Sequence, residues 1–166
     1  MMNIYKLRLR HGLNPQRGMT LLEVLIALLV LSIGLLGMAG LQATSIRSSQ
    51  SAYMRSQASI LAYDAIDRMR ANQAAAISAA NPYNLALATT PGAPPSNCNT
   101  STCTTAQLTA FDLFEWTQTL ASELTGGDGS ISRAVVSGRT IFSVVVQWDD
   151  TRAVGALTSL QVETEL

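Results

Sequence analysis

From Val24 through Ser45 the chain carries no charge, and apolar residues follow one another almost without a break. About 20 such residues at ~1.5 Å rise each reach across the ~30 Å hydrocarbon core of a bilayer, so the run predicts a membrane-spanning helix. No proline occurs between Pro15 and Pro82, and glycine is scarce after Gly40. The pattern therefore predicts one helix from about Thr20 to about Ala80. Its outer half has an apolar stripe at Met54, Ala58, Leu61, Ala65 and Met69, the spacing of one helical face. Arg47, Arg55, Asp64, Asp67, Arg68 and Arg70 supply the polar character, and Asp64 lies one turn before Arg68, a favourable pair. The stripe is expected to pack on a C-terminal domain rather than to hold a cofactor.

The period changes after Asn81. Pro82, Pro91, Pro94 and Pro95 stand among Asn, Ser and Thr, which predicts a loop over 81–104. Thr104 and Gln107 have the spacing of a capping box, so a second helix is expected from about Thr105 to Leu124. Leu113, Trp116, Leu120 and Leu124 form its apolar side, and Gly126-Gly127 ends it. Trp116 is read as a core anchor, with a partner contact as the other reading. Three strands follow. Ser130–Val136 is the first, and Gly138 gives the turn. Thr140–Trp148 sets Phe142, Val144, Val146 and Trp148 on one face, and Thr158–Leu166 alternates Leu160, Val162, Thr164 and Leu166 with polar residues. Short connections favour an antiparallel meander whose apolar face covers the stripe of the first helix. The fold class is α+β. Asp128, Asp149 and Asp150 are placed in loops; calcium is an alternative, but their spacing is not that of a known calcium loop.

Charge changes the picture at the N-terminus. The whole chain has 11 basic and 11 acidic residues. Lys6, Arg8, Arg10 and Arg17 all precede the apolar run, so removal of residues 1–18 would leave seven basic residues against 11 acids. A basic head before an apolar segment argues for a membrane orientation with the head in the cytoplasm. The one histidine, His11, lies in that head. A body without histidine excludes Ser-His and Cys-His chemistry and imidazole metal ligation. A secretory signal would have a shorter apolar region and an A-x-A-like site after it. Here the small residue, Gly18, lies before the run, and Glu23 stands just inside it. An acid at membrane depth costs a few kcal/mol and usually has a partner. Gly34, Gly37 and Gly40 are read as ordinary membrane-helix glycines or as a weak stretch over Ser32–Gly40. Cys98 and Cys103 are the only cysteines. A body facing an oxidising compartment makes a structural disulfide the expected state. The alternatives are half a zinc site and a redox pair with atypical spacing.

The segment from Arg17 and Gly18 through Met19, Thr20, Leu21, Leu22 and Glu23 resembles the type IV prepilin site. The resemblance implies cutting by a membrane prepilin peptidase between Gly18 and Met19, and N-methylation of Met19, where the family usually has Phe. It also implies that Glu23 meets the N-terminus of a neighbouring subunit during assembly; an intrachain pair with the new ammonium at Met19 is the other reading. Residues 1–18 become a cleaved leader, 19–43 the transmembrane and filament-core helix, and 44–80 its amphipathic half. Residues 81–104 are then the loop and 105–166 a helix with a three-stranded antiparallel sheet, a type IV pilin-like arrangement.

Ala106 to Trp116, Gly126 to Gly129 and Val144 to Asp149 together resemble the PilV-type minor pilins, the type IV pilus modification proteins. The resemblance implies a minor pilin that primes filament assembly, with tip or shaft left open. The implied partners are other minor pilins, the major pilin, prepilin peptidase, the assembly platform and the inner membrane. It implies a single pass with the body in the periplasm, and later in the fibre. A minor pseudopilin of a type II secretion system is the alternative. No cofactor, metal, small-molecule substrate or nucleic acid is expected, and the chain is not expected to be an enzyme. A DNA receptor would need a basic patch, and the seven Arg of the body are partly balanced by acids.

Overall fold

The computed structural model of the protein describes residues 18–150 and 155–166. The expectations on Lys6, Arg8, Arg10, His11 and Arg17 lie outside the described residues. The chain divides into two compact units, one ending at Ser45 and one spanning Ile46–Leu166.

Helix α1 runs without interruption over Leu21–Ala71. In the first unit its side chains are exposed throughout. The helix is unbroken across Ser32–Gly40 in this single chain, where the Ser32 hydroxyl donates to the Leu28 carbonyl at 2.6 Å.

In the second unit α1 buries Met54, Ala58, Leu61, Ala65 and Met69, as the spacing predicts, with Ala62 and Ile66 beside them. The helix stops at Ala71, earlier than the expected Ala80, because Asn72 leaves helical geometry (φ −114, ψ 42). Its side-chain amide is spent elsewhere, on Tyr83, Thr105 and Thr109. A short turn of helix, α2 (Gln73–Ala76), follows. Arg133 of the sheet donates to the carbonyls of Ala76 and Ser78 and so satisfies its open end.

Helix α3 spans Thr105–Glu123 and starts at the expected capping box. The Thr104 hydroxyl accepts from the Gln107 backbone N–H, and the Gln107 side-chain Oε1 accepts from the Thr104 N–H at 2.9 Å. Its buried face carries Thr109, Asp112, Trp116 and Leu120. The Trp116 indole N–H donates to the Leu61 carbonyl at 2.8 Å, which ties α3 to α1 and makes Trp116 a core residue.

Strands β1 (Asp128–Val136), β2 (Arg139–Trp148) and β3 (Thr158–Glu165) form an antiparallel meander in the order β1-β2-β3. Asp128 opens β1 instead of standing in a loop, since its partner Gln147 extends the ladder. Phe142, Val144, Val146 and Trp148 of β2 are fully buried, while the apolar side of edge strand β3 is half-buried. Ser137 and Gly138 both have positive φ, the geometry that suits a two-residue hairpin turn. Two glycines permit the close contact of α3 with β1. A Cβ on Gly127 would lie 2.0 Å from the Leu120 carbonyl oxygen, and one on Gly129 would lie 2.5 Å from the Trp116 ring. The loop is partly anchored: Leu85 pairs with Ile131 at the β1 edge, and Tyr83 and Leu85 join the core.

Candidate processing and assembly site

Gly18, Met19 and Thr20 precede α1 and are exposed. Among the described residues, a side chain at Gly18 would meet no atom within 4 Å, and Gly18 and Met19 are both exposed. Thr20 starts the helix. Its carbonyl accepts from the N–H groups of Glu23 at 3.1 Å and Val24 at 3.2 Å, and its hydroxyl accepts from the Glu23 N–H at 3.3 Å. Thr20 is thus the N-cap and Glu23 sits three residues in, where an acid also complements the helix dipole. The Thr-x-x-Glu spacing of a capping box was legible in the sequence at this end of the chain as well, and its meaning for helix initiation was missed there. Glu23 is exposed and has no ion-pair partner among the described residues.

The apolar helix after Glu23 is long and hydropathic enough to cross a membrane, and none of its most apolar window is buried within the chain. A core helix of a water-soluble domain would be covered; this one is not.

Cys98 and Cys103 form a disulfide with their Cα atoms 5.6 Å apart. The ring closes around a turn in which the Asn97 carbonyl accepts from the N–H groups of Thr100 and Ser101. Ser96 accepts from the Gln107 side chain at 3.2 Å, so the ring abuts the cap of α3.

A second group of polar residues lies inside the body. The Tyr83 hydroxyl donates to the Asp112 carboxylate at 2.5 Å and accepts from the Asn72 amide at 3.1 Å. Asn72 also donates to the Thr105 carbonyl and the Thr109 hydroxyl. Arg68 pairs with Asp64 at 2.8 Å, the expected one-turn pair, and approaches Asp112 at 3.6 Å. Burial raises the Asp112 pKa, while the Tyr83 hydrogen bond and Arg68 oppose that shift. Burial and the Asp112 hydrogen bond both raise Tyr83 far above an ordinary phenol. A cavity of about 10 Å³ beside Arg68, Tyr83, Asp112 and Trp116 has room for about one water molecule. The arrangement joins α1, the loop and α3, and its chemistry is that of a structural tie. Sequence reasoning missed these residues. The available signal was Thr109 and Asp112 sharing a helical face with Trp116 and Leu120.

Two of the three aspartates weighed for calcium accept hydrogen bonds. Asp128 accepts from the N–H groups of Ala88 and Gly129, and Asp150 accepts from the Ser51 hydroxyl.

Residues 13–39 match the prokaryotic N-terminal methylation motif. Residues 40–114 match the Tt1218-like family, described as type IV pilin Tt1218. The two matches abut and support a type IV pilin; the second ends at Phe114, before the sheet begins. The long helix over a small three-stranded sheet with a short second helix is consistent with the type IV pilin fold. No curated protein and no solved structure matches the chain. The exposed apolar helix and the methylation motif are consistent with a membrane-anchored pilin.

Proposed function

We propose that this chain, with its N-methylation motif and type IV pilin fold, is a minor pilin of a type IV pilus that helps to prime filament assembly. The observation that carries the reading is an uncovered apolar helix, Leu21 onward, that follows two residues after the exposed Gly18–Met19 pair. In this reading the basic leader stays in the cytoplasm and the body lies in the periplasm. A prepilin peptidase cuts after Gly18 and methylates Met19. Cutting creates an ammonium at Met19, and Glu23 is the acid placed to receive such a charge from a neighbouring subunit. Each charge is costly at membrane depth, and pairing offsets the cost. The minor role rests on the likeness of the α3, Gly126–Gly129 and β2 segments to PilV-type proteins. Its partners are then the major pilin, other minor pilins and the inner-membrane assembly platform.

Mass spectrometry of sheared filaments tests the reading directly. The expected peptide begins at methylated Met19 and is present at far lower abundance than the major pilin. Absence from the filaments, or an intact leader, would overturn it. A minor pseudopilin of a type II secretion system would carry the same N-terminus; deletion would then block secretion and leave pili intact, the reverse of the expected outcome.

A further inference from the structure

Between Glu23 and Asp64 the chain carries two charges, and both are arginines, Arg47 and Arg55. Both are exposed on α1. The other arginines of the described body are engaged. Arg68 pairs with Asp64, Arg70 with Asp67 and Arg139 with Glu165, and Arg133 donates to the carbonyls of Ala76 and Ser78. Among the described residues, Arg47 and Arg55 are the two arginines whose side chains make neither an ion pair nor a hydrogen bond. The acid that reaches this part of α1 from the end of β2, Asp150, accepts from the Ser51 hydroxyl at 2.6 Å and pairs with neither arginine.

Their place along the chain gives these free cations a meaning. The uncharged run Val24–Ser45, at ~1.5 Å per residue, takes up the ~30 Å hydrocarbon core of a bilayer. Arg47 is the first charge beyond it, and so comes at the level of the headgroups, whose layer adds roughly 5–8 Å on each side. Arg55 follows about two turns further along the helix, ~12 Å on. An arginine lays its stem along apolar surface while its guanidinium reaches a polar layer, and the planar fork of donors fits a pair of phosphate oxygens. Membrane proteins concentrate basic residues on the cytoplasmic side, where the leader already places four. Two unpaired cations at the opposite edge, on a body with more acids than bases, run against that bias. The anion they lack is one that the membrane itself supplies.

We propose that Arg47 docks on the phosphate of an anionic phospholipid in the outer leaflet of the membrane that α1 crosses, with Arg55 adding attraction from just above the surface. The ligand is a glycerophospholipid whose headgroup brings no cation of its own, and phosphatidylglycerol is the simplest of that class. The contact fixes the depth at which the subunit waits. A helix that slides inward drives a guanidinium towards hydrocarbon, and one that slides outward strips it of its phosphate. The contact is given up when the subunit leaves lipid for the fibre. The proposal rests on the membrane-anchored reading given above.

The test is native mass spectrometry of the full chain, purified from its native host in a neutral detergent. Phosphatidylglycerol and phosphatidylethanolamine with the same acyl chains are added in separate arms. The chain is expected to retain phosphatidylglycerol in preference. Arg47→Gln should lower that retention about fivefold, the worth of one cation at an anionic surface. Arg55→Gln should lower it less, and Arg47→Lys should keep most of it. Arg70→Gln removes an exposed cation further along the helix and should leave retention unchanged. Arg47 has no partner among the described residues, so its variants are expected to fold, and an unchanged melting temperature of the body checks this. Equal retention of the two lipids, an unaltered Arg47→Gln, or the same fall in Arg70→Gln would each overturn the proposal. Binding of inorganic phosphate in place of the lipid would overturn the lipid as occupant. Loss of filament entry in Arg47→Gln with lipid retention unchanged would give the arginine to a neighbouring subunit instead. The N-terminal peptide of the same sample reports processing separately. A cleaved, methylated chain without lipid preference defeats the lipid proposal alone, and an intact leader on a chain that holds phosphatidylglycerol through Arg47 defeats the pilin reading alone.

Discussion

Gly127 sits where no side chain fits. A Cβ there would lie 2.0 Å from the Leu120 carbonyl oxygen and 2.9 Å from the Leu124 Cβ, and the oxygen belongs to a helix backbone that cannot move aside cheaply. Gly127→Ala is therefore expected to destabilise the body by ~3 kcal/mol or more, through overpacking against rigid atoms. Urea melts of the two proteins measure it. Gly18 is the contrast: its surroundings among the described residues are open, so a substitution there is expected to leave the fold intact and, in the proposed function, to act on processing. Glu23 is a third case. Its carboxylate has no ion-pair partner among the described residues, so Glu23→Ala should leave the body's melting temperature unchanged. In the proposed function the same variant is cut normally and enters filaments poorly. Normal amounts of the variant in sheared fibres would refute that role.

At the scale of elements, the helix starts carry their own signals. Thr104→Ala removes the hydroxyl that accepts from Gln107, and should cost about 1 kcal/mol as a lost N-cap. Reduction of Cys98–Cys103, or Cys98→Ser, opens a small ring, for which chain-entropy reasoning gives roughly 2 kcal/mol. Because the ring abuts that cap, hydrogen exchange is expected to rise first at the α3 N-terminus. Uniform protection across α3 after reduction would count against that coupling. Helices, strands and the capping box of α3 were legible because each rests on local periodicity or spacing: Met54 through Met69 on one helical face, and Phe142 through Trp148 on one strand face. The end of α1 was not legible. Asn72 ends the helix because Tyr83, Thr105 and Thr109 accept its amide hydrogens, and those partners come from two distant stretches of chain. The same is true of Gly129, whose need for bare backbone arises only when β1 meets Trp116 and Leu120 of α3.

Across the whole molecule, one buried proton matters at high pH. The folded state holds the Tyr83 phenol protonated well above the ordinary value, first through burial and then through Asp112. A group with a raised folded pKa binds more protons in the folded state, so its contribution is fully present below about pH 10 and lost as pH rises beyond it. The wild-type body should therefore lose stability above about pH 10, and Tyr83→Phe should flatten that part of the profile, although the variant starts lower because Asp112 loses a donor. Thermal melts from neutral to alkaline pH decide it. Asp112 acts in the acid range with the same sign. Its raised pKa makes the folded state relatively more stable as pH falls, and Asp112→Asn should remove that slope.

The uncovered stretch of α1 has a kinetic meaning for the proposed assembly. Among the described residues, fifteen large apolar side chains from Met19 to Leu41 are exposed. Wetting them all would cost roughly 20 kcal/mol or more, even after discounting what lies against the helix itself. A free subunit in water is then a state that thermal motion does not visit on any useful timescale. Lipid and a neighbour's helix are the two solvents left. Transfer between them must occur by contact, at the membrane surface where the fibre begins, and a subunit that has entered has no diffusive route out except back through the same doorway.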